Sequence, residues 1–167
     1  MFIVVGVFRF VFYAYFLAMR AAIGAYLVIS TCRLHFSKNN NTSFSHLNWI
    51  ALSLRIWGGN NINFNLLSLN ARGLRTLDRR KAFFNWLAKS SADICFLQET
   101  YSTLEVENIW KKQWKGNMFF SHGAGHSKGV LILVKDHLDF KLQSVKVDSQ
   151  GRYILLEAII QDSLFYF

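Results

Sequence analysis

Residues Ala92–Thr100 read "ADICFLQET". Ile94 to Leu97 form an unbroken apolar run, the pattern of a strand buried on both faces. The run stops on Gln98 and Glu99, so a carboxylate stands at the exit of one of the chain's most hydrophobic strands. Upstream, "LDRRKAFFNWLAK" (77–89) has helical spacing, with Thr76 at its cap and Asp78 in the favourable first turn. Leu77, Phe83 or Phe84, and Leu87 make its apolar stripe, and Arg79, Arg80 and Lys81 are expected towards solvent. Before it, "ARGLRT" is a turn and "NFNLLSLN" (63–70) a strand, with Phe64, Leu66 and Leu67 available to the core.

A strand–helix–strand unit of this length makes a right-handed crossover and lays its strands parallel. As direct neighbours about 4.8 Å apart, the strands bring Asn70 and Glu99 out side by side at the sheet's carboxyl edge. Open α/β sheets bind ligands at that edge. A carboxylate beside an amide oxygen is hard-ligand chemistry suited to Mg²⁺. An acid after a strand is also commonly just solvated, and Asn there a turn former, so position alone leaves both readings open.

Downstream, Ser102 and Glu105 have capping-box spacing, with Tyr101 and Val106 placed as its hydrophobic staple. They predict a second helix, "TLEVENIWKKQW" (103–114), with Val106, Ile109 or Trp110, and Trp114 on one face. After Gly116 come consecutive strands: "NMFFSH", "GVLILVK", "FKLQSVKV", "RYILLEAII" and a stub, "LFYF". "DSQG" fits a hairpin loop with Gly151 at positive φ, and "QDS" a tight turn. The order is β-α-β-α followed by an antiparallel β meander, a mixed α/β fold.

A chain of 167 residues holds one ordinary domain. Hydrophobic residues reach 52% and charged residues only 17%, with sixteen Phe and no Pro. The net charge of +9 is uneven: residues 1–62 carry five basic residues and no acid, and the remainder 14 basic and 10 acidic. The mildly basic second part suits a polyanionic partner. Cys32 and Cys95 give neither a disulfide framework nor metal spacing, and Cys95 reads as a buried reduced thiol. Residues 1–30 have the apolar character of a membrane segment, yet Arg9 and Arg20 interrupt every long uncharged stretch. They fit a membrane anchor or signal, or an incidental leader. Residues 37–62 read as an Asn-rich linker holding one unplaced apolar piece, with a boundary near 62 at "WGGNN". Residues 1–62 are thus expected to lie outside the domain, and 63–167 inside it.

"LLSLNARGL" (66–74), "ADICFLQET" (92–100), "GVLILVK" (129–135) and "GRYILLEAII" (151–160) occur in a familiar order and spacing. They resemble the endonuclease/exonuclease/phosphatase family, specifically the endonuclease domain at the front of LINE-type (non-LTR) retrotransposon polyproteins. The resemblance covers about residues 63–167. It implies a four-layer α/β/β/α sandwich, here only its N-terminal part, and Mg²⁺-dependent phosphodiester cleavage, namely nicking of DNA. It assigns Glu99 as the divalent-metal ligand and Asn70 as the active-site amide near metal and scissile phosphate. The family's later motifs, which supply a catalytic Asp with Asn and an Asp–His pair, are not found before the chain stops at "LFYF". The expectation is a domain truncated on its C-terminal side and inactive alone. The alternative is a non-catalytic remnant, nucleic-acid-binding or membrane-anchored. Localisation would be nuclear for a retroelement-like protein and membranous if residues 1–30 anchor it; no protein partner is identifiable.

Ala71 replaces the β-branched residue usual in the first motif, and Tyr101 stands where a His often follows "QET". His122 and His126, in the Gly-rich "SHGAGHSKG", read as loop residues with a structural or solvent role rather than as metal ligands. Arg72, Arg75 and Lys128 fit contacts to a DNA backbone and equally an ordinary solvated face.

Overall fold

The computed structural model describes residues 29–33, 50–58, 62–123 and 128–167. Six strands form the larger sheet: β1 (Ile29–Arg33), β2 (Ile50–Gly58), β3 (Ile62–Asn70), β4 (Ile94–Gln98), β5 (Gly116–Ser121) and β6 (Val130–Lys135). Their spatial order is β1-β2-β3-β4-β6-β5. Helices α1 (Leu77–Lys89) and α2 (Glu107–Lys111) accompany it. A second, antiparallel sheet holds β7 (Phe140–Val147), β8 (Ile154–Ile160) and β9 (Ser163–Tyr166). The apolar piece left unplaced by the sequence is β2, which pairs antiparallel with β3 from Gly58 opposite Ile62 to Ala51 opposite Leu69.

β3 and β4 are direct parallel neighbours, and Asn70 lies opposite Gln98. Asp93 locks the entrance of β4: its Oδ2 accepts the Asn65 N–H at 2.7 Å, and its own N–H reaches the Asn65 carbonyl at 2.8 Å. Along β4, Cys95 and Leu97 face a core shared with Phe84, Leu87, Trp110 and Trp114. Ile94 and Phe96 face a second core built with Ile154, Leu156, Ala158 and Ile160 of β8. Burial on both faces explains why "ICFL" lacks polar alternation, and each large side chain so buried contributes about 1.5–3 kcal/mol. Burial also pushes the Cys95 thiol up to about 12, keeping it protonated and inert.

Helices, first sheet and second sheet therefore make three successive layers, a partial α/β/β/α sandwich. The strands after Gly116 divide between the sheets: β5 and β6 extend the first beyond β4, and β7–β9 build the second. Gly151 has φ +72 in the "DSQG" loop, and Gln161 and Asp162 form the last turn at φ +48 and +61. Inward-register Leu142, Val145 and Val147 of β7 stay exposed although their β8 partners are buried, so β7 overhangs the core.

Three local expectations are corrected. Arg80 does not face solvent: it is 5% exposed, on the same helical stripe as Phe84 and Leu87, while Leu77 is 47% exposed. Its Nε donates to Gln113 Oε1 at 2.7 Å, and one Nη donates to the Leu74 and Arg75 carbonyls at 3.0 Å each, which compensates the buried charge. Thr76 stands at the N-cap of α1 but makes no side-chain capping bond. The second helix shrinks to a 3₁₀ turn, Leu104–Val106, followed by α2, and Thr103 rather than Ser102 precedes the turn. Ser102 cannot cap because its hydroxyl is engaged with Thr100 and His122.

Among the described residues no helix is long and apolar enough to cross a membrane. The anchor reading rests on residues 1–30, of which 1–28 lie outside the described residues, as does His126.

Candidate functional site

The parallel pairing ends with Asn70 and Gln98, and both chains turn sharply just beyond. Asn70 Oδ1 accepts the Arg72 N–H at 2.9 Å, an Asx turn that starts "ARGLR". Arg72 and Gly73 then take φ +46 and +87. On β4's side, Glu99 and Tyr101 take φ +51 and +58. Three non-glycine residues in the left-handed region at one sheet edge store about 1–3 kcal/mol each. Such strain persists only where surrounding bonds over-determine the backbone, and here they do.

The two turns zip together. Ala71 N–H donates to the Gln98 carbonyl at 2.7 Å, Gly73 N–H to Glu99 at 2.7 Å and Leu74 N–H to Thr100 at 2.9 Å. Arg75 Nε adds a bond to the Tyr101 carbonyl at 3.1 Å. From the other flank, Thr100 N–H donates to the Gly129 carbonyl at 3.1 Å and Tyr101 N–H to Lys128 at 3.0 Å. Gly73 leaves room for the Tyr101 ring, since a Cβ there would lie 2.5 Å from Tyr101 Cδ2. Tyr101, directly after "QET", thus packs on the turn.

Glu99 is half-buried, and no hydrogen bond or ion pair joins its carboxylate to the described side chains. Asn70 is half-buried one register step away. Arg72, Arg75 and Lys128 are exposed around these turns. Among the described residues no group of three or more His, Cys, Asp and Glu could hold a metal ion.

The sequence reading missed the support behind Glu99. Thr100 and Ser102 are fully buried, with their Oγ atoms 3.2 Å apart. Ser102 Oγ lies 3.0 Å from His122 Nδ1, and His122 Nε2 lies 3.0 Å from Glu107 Oε2. His122 leaves the end of β5 stacked on Phe120, with ring centroids 5.3 Å apart. Burial alone would raise the Glu107 carboxyl, but Lys111 and His122 beside it hold it below the ordinary carboxylate range. The signal in sequence was limited to "SH" at a strand end.

A loop of the second sheet props Gly129. Gly129 N–H donates to the Gly151 carbonyl at 3.1 Å, and buried Asp148 closes that loop through Arg152. The side-chain bonds from Arg152 pull the Asp148 carboxyl down to about 2. A depressed acid contributes stability above its unfolded value of about 3.9 and loses it as pH falls towards 2. Asp148→Asn should therefore melt below wild type at neutral pH, with the gap closing between about pH 4 and pH 2. Thermal melts across that range check it; a pH-independent gap would refute the assignment.

Residues 61–163 match the endonuclease/exonuclease/phosphatase family, and the layered fold is consistent with a partial sandwich of that family. The chain belongs to this family. It is also 34% identical over 89 residues to the "Transposon TX1 uncharacterized 149 kDa protein" of Xenopus laevis. That match spans 53% of this chain and 7% of the Xenopus protein.

Proposed function

We propose that residues 63–167 carry the N-terminal motifs of a retrotransposon-type DNA endonuclease domain, with residues 1–62 outside that family domain although β1 and β2 add to the edge of its sheet. In this reading Glu99 is the Mg²⁺ ligand and Asn70 the amide that orients the phosphate. The carrying observation is the Glu99 carboxylate, unengaged by the described side chains, on a strained turn clamped from both flanks. The donors fit the ion, because Mg²⁺ takes hard oxygen ligands, keeps several waters and needs only one or two carboxylates. When bound, the cation would neutralise charge building on the phosphate and leaving oxygen. Asn70, its Oδ1 tied to Arg72, holds a fixed side-chain amide at the edge, and the zipped turns keep both groups in register. Arg72, Arg75 and Lys128 around the edge favour a polyanionic substrate. The same cations support the second reading, a module that holds DNA without cleaving it.

Phosphodiester hydrolysis also needs a general base and a donor to the transition state. Among the described residues no group of three or more His, Cys, Asp and Glu stands ready for a metal, so the 167-residue chain is expected to bind the ion without turning over. Calorimetric titration with Mn²⁺ or Mg²⁺ should show one weak site that disappears in Glu99→Ala. Equal affinity in that variant would sink the metal assignment, and metal-dependent plasmid nicking lost in Glu99→Ala would overturn the expected inactivity.

A further inference from the structure

We propose that His122 is the positioning residue of the Glu99 turn, its tautomer fixed by Glu107 so that a one-way hydrogen-bond chain holds Thr100 and Ser102 in place. The proposal rests on the metal reading of Glu99 for its functional consequence, but the chain of bonds stands on geometry alone.

An ionised carboxylate accepts and cannot donate, so Glu107 Oε2, 3.0 Å from Nε2, requires the proton of a neutral imidazole to sit there. Nδ1 is then a bare acceptor, and Ser102, 3.0 Å away, must donate to it. With its own proton committed, Ser102 Oγ accepts from Thr100 Oγ1 at 3.2 Å. The direction is therefore Thr100 to Ser102 to His122 to Glu107, and both hydroxyl rotors are set by a carboxylate on α2. Lys111, one turn along α2, pairs with the same Glu107 and keeps it charged.

Position gives this chain its consequence. Thr100 follows Glu99 directly, and Ser102 follows Tyr101, so the two hydroxyls alternate with the turn's two left-handed non-glycine residues. Backbone bonds clamp that turn from β3's exit and from Lys128–Gly129; the His122 chain ties it to the end of β5 and to α2. Ser102 is fully buried, which excludes it as a nucleophile although Ser, His and Glu lie in sequence of contact. Support of this kind orients a ligand without touching it.

The test uses the full 167-residue chain. Long-range ¹H–¹⁵N correlation on the singly protonated ring reads the His122 tautomer, with the resonance assigned by its loss in His122→Phe. Protonated Nε2 and bare Nδ1 are expected; the opposite tautomer would overturn the proposal whatever the metal does. Glu107→Gln, which can donate to Nε2, should shift the population towards protonated Nδ1. His122→Phe keeps the ring stack on Phe120 but removes both bonds, and should weaken Mn²⁺ binding about tenfold. His122→Gln, which can accept and donate, should recover part of that loss. Wild-type affinity in a folded His122→Phe would overturn the positioning role. If Glu99→Ala leaves Mn²⁺ affinity unchanged, the metal reading fails, while the tautomer measurement still decides whether the chain of bonds exists.

Discussion

Trp110→Ala will lose about 3–5 kcal/mol, a large share of the roughly 5–15 kcal/mol that holds an ordinary domain folded. Trp110 is fully buried in the core beneath the helices. Its ring meets Phe84 edge-on at 6.1 Å and Phe120 at 6.0 Å, and the Arg80 guanidinium lies over it at 5.1 Å. Removing the indole takes away three ring or cation contacts at once. It also leaves Arg80 buried without the face it lies on, and the short α2 without its anchor. The cavity would open between Phe84 of α1 and Phe120 of β5. Trp110 Nε1 has no acceptor among the described residues, a cost that Phe would not carry. Trp110→Phe should therefore cost less than about 1.5 kcal/mol, keeping both aromatic contacts in a slightly larger site. Urea unfolding of the three proteins decides the matter. Equal losses for Ala and Phe would mean that the indole as such, and not the aromatic packing, holds the core.

The legibility of this fold in its sequence follows the range of the interactions. β3, α1 and β4 were legible because a two-sided apolar run and a helical stripe are local patterns. β3 and β4 could be set side by side because a parallel crossover fixes register once its strands are neighbours, and Asn70 stands opposite Gln98, one residue before Glu99. The chemical roles of Asn70 and Glu99 came from family resemblance and stay proposals. Arg80 was misplaced because its burial is compensated by Gln113, on another element, and by carbonyls before its own helix. The Ser102 capping box was a sound local signal that lost to a partner twenty residues away, since a fully buried hydroxyl takes its strongest available bond. Strand periodicity gave β5 to β9 but not their division between two sheets, because alternation shows which face is buried and not which sheet a strand joins. The support beneath Glu99 was illegible for the same reason: Thr100, Ser102, His122 and Glu107 come from a turn, a strand end and a helix that only the fold brings together.

Gly129→Ala will damage fold and site together, because this glycine is required by its backbone and by its neighbours. Its φ of +97 lies where an L side chain is strained, at about 1–2 kcal/mol. A Cβ there would also stand 2.6 Å from Thr100 Oγ1 and 3.3 Å from the Tyr101 amide nitrogen. Neither can retreat freely. Thr100 is fully buried with its hydroxyl against Ser102, and the Tyr101 N–H is bonded to the Lys128 carbonyl. Gly129 is itself held by the Gly151 carbonyl on one side and by the Thr100 N–H on the other, so the strain passes into the turn that carries Glu99. A total loss of about 2–3 kcal/mol is expected from the backbone and contact costs combined. Mn²⁺ affinity of the folded fraction should fall about tenfold, as when ligand-orienting groups are displaced. Thermal melts and calorimetric titration on the same sample separate the two effects. A destabilised Gly129→Ala protein that binds Mn²⁺ with wild-type affinity would show that the clamp from β6 serves the fold alone, leaving orientation of Glu99 to the zipped turns and the His122 chain.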